Sequence, residues 1–155
     1  MSFTQGLQKI NALISDDPVT SSITPVDIGS AGTGNSAFSV GLQPGNRIKW
    51  RLEGLFSLGA TGGFRLLAHN TSAPTAYNAV FQIIDLTTPA TYNAGQVTEA
   101  AFANASAVAG NYSLRAFGSV IANAATTFSL QFAQNTSDVL AITMLKGMTF
   151  QVWQF

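Results

Sequence analysis

One histidine, no cysteine and seven scattered carboxylates are the groups with which this chain could do acid–base, nucleophilic or metal chemistry. A Ser-His-Asp triad would have to pass through His69, yet no G-x-S-x-G elbow accompanies it and there is no thiol nucleophile. Zinc demands clustered His, Cys or carboxylate ligands, and one imidazole beside Asn70 does not supply them; His69 reads as structural or surface. Asp16-Asp17 is the only adjacent acidic pair, and with Pro18 behind it the pair reads as a solvated helix stop rather than a weak cation site. Asp27, Glu53, Asp85, Glu99 and Asp138 fall in different segments, so a glycosidase pair would need the fold to bring two of them together. Gly29-Ser30-Ala31-Gly32-Thr33-Gly34 holds a G-x-G, but no P-loop lysine and no following helix, and reads as flexible arm rather than phosphate cradle. The expectation is a protein that is not an enzyme and that needs no cofactor and no metal.

The basic row Arg47, Lys49 and Arg51 alternates with Ile48 and Trp50, as on a strand with one charged face. Nucleic-acid binding requires a concentrated positive field. Glu53 on the same face, and seven basic residues against seven acidic in the whole chain, argue against it. An ion-paired or inter-subunit surface is the better reading of this row.

The elements that position these residues are strands. Phe38, Val40 and Leu42 alternate before Pro44-Gly45, and Asn46–Phe56, Gly62–His69, Tyr77–Leu86 and Tyr112–Ile121 follow between turn-forming stretches. Residues 87–110 leave a short helix or a crossing loop open. The last thirty residues hold three more strands, Thr126–Ala133, Val139–Leu145 and Met148–Phe155, separated by Asn135-Thr136-Ser137-Asp138 and Lys146-Gly147. A series of about eight short strands indicates an antiparallel sandwich over residues 35–155. At 155 residues the chain suits one domain with a real core. No apolar run approaches the roughly eighteen residues that a membrane helix needs.

Residues 1–34 differ. Phe3, Leu7, Ile10 and Ile14 fall on one face of a short helix, and Val19–Gly34 reads as an extended linker. The segment is therefore expected to be an N-terminal arm carrying a short helix, with those four apolar residues as its anchor. Fully extended, 28 residues of this segment reach at most about 90–100 Å, enough to touch a neighbouring subunit. No secretory signal pattern is present, so lysis or particle release is the expected route by which the chain would leave its cell of synthesis.

Charged residues are 9% of the chain and hydrophobic residues 46%, which leaves the outer faces as uncharged as the core and favours assembly over a free monomer. Tyr112, Leu114 and Val120 lie on one side of their strand, Phe117 and Ile121 on the other; Phe150 and Val152 likewise oppose Trp153 and Phe155. One face lines a core and the second needs another cover. Phe117, Ile121, Trp153 and Phe155 are thus the candidate interface of an oligomer.

The C-terminal pattern LQFAQNTSD, VLAITMLKG and MTFQVWQF resembles that of small tailed-phage virion proteins, with weaker likeness at NRIKWRLEGLF and GNYSLRAFGSVIANAATT. The resemblance spans roughly residues 34–155; Lys146-Gly147-Met148 departs from the Gly-Ser of many relatives. It implies a jelly-roll-like β-sandwich, a homotrimer and a place on the outer capsid surface as a cement or decoration protein. The partner it implies is the major capsid protein, clasped by the N-terminal arms, with neither nucleic acid nor membrane. The alternative is a head- or tail-fibre domain that binds a host glycan or protein, with Tyr77–Asn78 and Tyr92–Asn93 as loops that could line a sugar site.

Overall fold

The computed structural model describes residues 6–59, 63–88, 92–96, 102–104 and 109–155. These form thirteen strands and no helix. They are β1 (Gly6–Ala12), β2 (Asp17–Val19), β3 (Val26–Asp27), β4 (Ser39–Leu42), β5 (Arg47–Leu58), β6 (Phe64–Asn70) and β7 (Ala76–Asp85), then β8 (Tyr92–Gln96), β9 (Phe102–Asn104), β10 (Gly110–Ile121), β11 (Thr126–Gln134), β12 (Ile142–Met144) and β13 (Thr149–Gln154).

Two antiparallel sheets result. The larger runs β1-β13-β5-β10-β7-β8, with β12 also on β5 and β2 on β12; the smaller runs β3-β11-β6-β9, with β4 also on β11. The long β5 organises the first: its early half pairs β13 and its late half pairs β12. Between those two partners the chain steps aside at Leu145–Met148, where Met148 crosses Gly54. A Cβ on Gly54 would stand 2.7 Å from the Met148 Cα, so only glycine leaves room there.

Alternation sets the faces. On β5, Ile48, Trp50, Leu52, Phe56 and Leu58 are buried, while Arg47, Lys49 and Arg51 face solvent. The core between the sheets is aromatic: Phe56 stacks on Phe64 at 4.5 Å and on Tyr112 at 5.2 Å, Trp50 meets Phe128 at 5.6 Å, and Phe38 stacks on Phe150 at 5.6 Å. Each such pair adds about 0.5–1.5 kcal/mol beyond its burial.

The N-terminal segment corrects the expected helix. Gly6–Ala12 is an edge strand on β13, with a register shift between Leu7 and Lys9. Its inward positions are polar: Lys9 Nζ donates to the Ser39 carbonyl at 2.5 Å and Asn11 Nδ2 to the Ala37 carbonyl at 3.0 Å. Pairing with β13 covers backbone groups that would otherwise form an open edge, and this outweighs the helical spacing of the apolar side chains. The following stretch is no free linker either, because Asp17, Val19 and Ile28 are buried and β2 and β3 join opposite sheets. The expected strand Val139–Leu145 shrinks to β12, since Asp138 Oδ1 accepts from Leu140 N and turns the chain there.

Candidate functional site

The chemically active residue types are engaged one by one rather than gathered. His69 is half-buried on β6, opposite Ser129. Asp27 accepts from Gln131 Nε2 at 2.8 Å. Asp85 caps its own turn: the Thr87 backbone bond at 2.7 Å is the main influence lowering its pKa, and with the Thr88 hydroxyl and backbone bonds it outweighs the opposing effect of burial. Glu53 bridges Arg51 at 2.5 Å and Arg115 at 2.7 Å. Burial alone would raise its carboxyl, but the hydrogen bond and charge of Arg51, followed by those of Arg115, outweigh that and hold it below the usual carboxylate value. Among the described residues no three His, Cys or acidic side chains approach a metal-binding cluster; Glu99 lies outside them.

Asp17 departs from the expected solvated helix stop. It is fully buried, and its Oδ2 accepts from Gly29 N at 2.6 Å while its Oδ1 accepts from Ala31 N at 2.7 Å and Gly32 N at 2.6 Å. The glycine-rich loop is thus an anion cradle after all, of the backbone N–H kind, and the anion it holds is the chain's own carboxylate. Gly29 adopts φ of 88°, and a Cβ there would collide with the Ser36 carbonyl, so the loop closes only with glycine. Gln134, which nothing in the pattern singled out, performs a similar role. Fully buried, it accepts from Ser22 N and Asp138 N and donates to the Asp138 and Leu140 carbonyls, tying the N-terminal segment to the turn after β11.

The broad surface feature is the outer face of the larger sheet. Register aligns Trp153, Lys49, Ser119 and Asn78 in one row, and Gln151, Arg51, Phe117 and Val80 in the next. A shallow groove of about 520 Å³ lies over these rows, lined by Lys49, Arg51, Asn78, Phe117, Ser119 and Trp153. Phe117 is 50% exposed, and Phe155 turns its ring under Lys49 Nζ at 5.3 Å. Ile121 closes the same strand face, half-buried. The four residues expected at an interface therefore share one surface. A smaller hollow of about 340 Å³ at the sandwich end is lined by Gly41, Leu42, Gln43, Thr71 and Ala125–Thr127, none of them charged.

Of the expected anchor, Phe3 lies outside the described residues, Leu7 belongs to β1, and Ile10 and Ile14 are exposed at 55% and 61%. They sit on a strand edge and a turn, not on one helix face. The sugar-lining loops expected at Tyr77–Asn78 and Tyr92–Asn93 are strand positions on β7 and β8; Tyr77 packs against the core and Asn78 lines the groove. No protein-family model matches the sequence, and no curated protein shows significant similarity to it.

Proposed function

We propose that this is a structural, non-catalytic subunit of a phage virion that self-associates as a trimer through the outer face of its larger sheet. The observation that carries the reading is the exposure of Phe117, Val80, Leu55 and Phe155 across that face, beside Trp153. Apolar surface of this kind on both sides of a sheet calls for a second cover. The groove has aromatic walls and cations, and its one hydroxyl, Ser119, has neither histidine nor carboxylate among the lining residues to activate it, which suits contact rather than turnover.

Strand order supports a jelly-roll reading of the sandwich. Counting β4 to β11 as eight strands, the smaller sheet takes the first, eighth, third and sixth, and the larger takes the second, seventh, fourth and fifth. That interleaving of two Greek keys is the jelly-roll order. The capsid setting, with a cement or decoration role against the major capsid protein, rests on the sequence resemblance alone. Stapling by a long reaching arm loses its basis, because residues 6–35 are fastened to their own sandwich. Capsid contact then falls to the surfaces of the assembled trimer.

Sedimentation equilibrium of the purified chain tests the reading. The expected mass is about three times the 16.2 kDa of one chain, falling to one chain in Phe117→Asp, whose side chain is exposed and not needed for folding. A wild-type protein that stays monomeric at tens of micromolar would refute it.

A further inference from the structure

A ring of three has no two-fold axis, so each pairwise contact in it joins two different patches of the chain. Resting on the trimeric reading above, we infer that the patch meeting the sheet face is the N-terminal edge of the same chain, from Ile14 to Ile23, together with the Val139-Leu140 turn beside it.

Three observations carry it. The first is where exposed large hydrophobics occur among the described residues. Ile10, Leu55, Val80, Phe117 and Phe155 border or lie on the sheet face; Ile14, Ile23, Val139 and Leu140 lie on the N-terminal edge; only Leu86, just past β7, belongs to neither. Among the described side chains, the outer face of the smaller sheet has none.

The second is charge. The sheet face carries Arg47, Lys49, Arg51 and Arg115 against Glu53, a net of +3, and no carboxylate among the described residues pairs with Arg47 or Lys49. Face-to-face packing of two copies would confront like charges, which costs several kcal/mol. The edge's own residues, Ile14–Ile23 with Val139 and Leu140, include Asp16 and buried Asp17 and no lysine or arginine, a net of −1, or −2 with Asp17, opposite in sign to the face; Arg65 borders it, its Nη1 donating to the Ile23 carbonyl.

The third is the state of the edge backbone. Pro18 sits in β2 without an N–H, and β1 is bulged between Leu7 and Lys9. Both features hinder another strand from adding along this edge, so the edge presents side chains rather than an open ladder. The segment is also held rigid by the Asp17 cradle, by Gln134, and by Asn35 Oδ1, which accepts from Ile14 N at 2.8 Å and Ser15 N at 3.1 Å. A head-to-tail contact of this kind closes into a ring of three only when the rotation between neighbouring copies is a third of a turn.

Complementation between two variants tests the pairing. Phe117→Asp damages the face, and the double variant Ile23→Arg/Val139→Arg damages the edge at side chains 51% and 80% exposed; circular dichroism and an unchanged unfolding midpoint confirm folding of each. Alone, each is expected to lose the trimer. Mixed in equal amounts they should form one-to-one heterodimers by native mass spectrometry, because an intact face on one variant meets an intact edge on the other. An edge variant that remains trimeric overturns the inference, as does a mixture that stays monomeric. A wild-type protein that is itself monomeric would instead overturn the trimeric reading on which this rests.

Discussion

Replacing Asp17 by alanine probes the lock on which the N-terminal segment depends. The substitution orphans three backbone N–H groups at Gly29, Ala31 and Gly32. A buried donor left without a partner costs about 1–3 kcal/mol. The Gly29 bond is the fully buried one and belongs at the upper end; the other two are partly buried, and water reaching them places them lower. The expected loss is therefore about 3–5 kcal/mol, a large share of the roughly 5–15 kcal/mol available to a domain. At about 2–4 °C per kcal/mol for a chain of this size, the unfolding midpoint should fall by about 6–20 °C. Urea titration at neutral pH, followed by tryptophan fluorescence, measures the free energy directly. Asp17→Asn should fall between wild type and Asp17→Ala, because its amide retains one acceptor oxygen but points an N–H at a donor. An Asp17→Ala loss below about 1 kcal/mol would show that the cradle is replaced by water at little cost, and the lock would have to be abandoned.

Two further outcomes follow from the same geometry. Glu53 has a folded pKa below its unfolded value near 4.5, so its stabilisation is present above that pH and is lost as pH falls through the folded value. Glu53→Gln should narrow the stability difference between pH 7 and pH 3, by less than about 1 kcal/mol because the pair is solvent-screened; an unchanged acid profile in chemical denaturation would remove the bridge as a contributor. Gly54→Val should destabilise by more than about 2 kcal/mol, since its Cβ falls on Met148 backbone as well as side chain. Calorimetry reading a near-neutral change would mean that the crossover of β12 into β13 relaxes freely.

What the sequence disclosed was governed by alternation. On β5, β10, β11 and β13 the apolar residues fall every second position and the structure buries that set: Trp50, Leu114, Phe128 and Phe150 all point inward. The same rule put Phe117, Ile121, Trp153 and Phe155 on a common outer side before any pairing was known. The N-terminal segment broke it. Ile10 and Ile14 are exposed, while the inward positions of β1 are Lys9 and Asn11, whose polar ends bond to carbonyls 26 and 30 residues away. An apolar spacing of three and four then suggests a helix that never forms, because what holds the strand is the backbone of β13 and the polar ends of Lys9 and Asn11, not an apolar face. Asp17 and Gln134 were illegible for a related reason. Each is buried by hydrogen bonds to backbone groups of a distant segment, and backbone donors leave no mark in composition.

That difference bears on function. Anchoring by backbone and by Asp17, Asn35 and Gln134 uses polar groups to hold residues 6–35 in place, which leaves Ile14 and Ile23 free on the surface. Leu13, Val19 and Ile28 turn inward beside those polar groups, and Ile14 and Ile23 are apolar side chains the segment keeps for a partner. Exposing several isoleucines in water costs solubility that 9% charged residues do little to restore. Their exposure on a locked edge is economical if a second copy covers them. Each such side chain, once buried, contributes roughly 1.5–3 kcal/mol before ordering costs, and a rigid edge has little ordering left to lose on association. The segment first read as an arm that must reach for a partner is better understood as a fixed surface that waits for one.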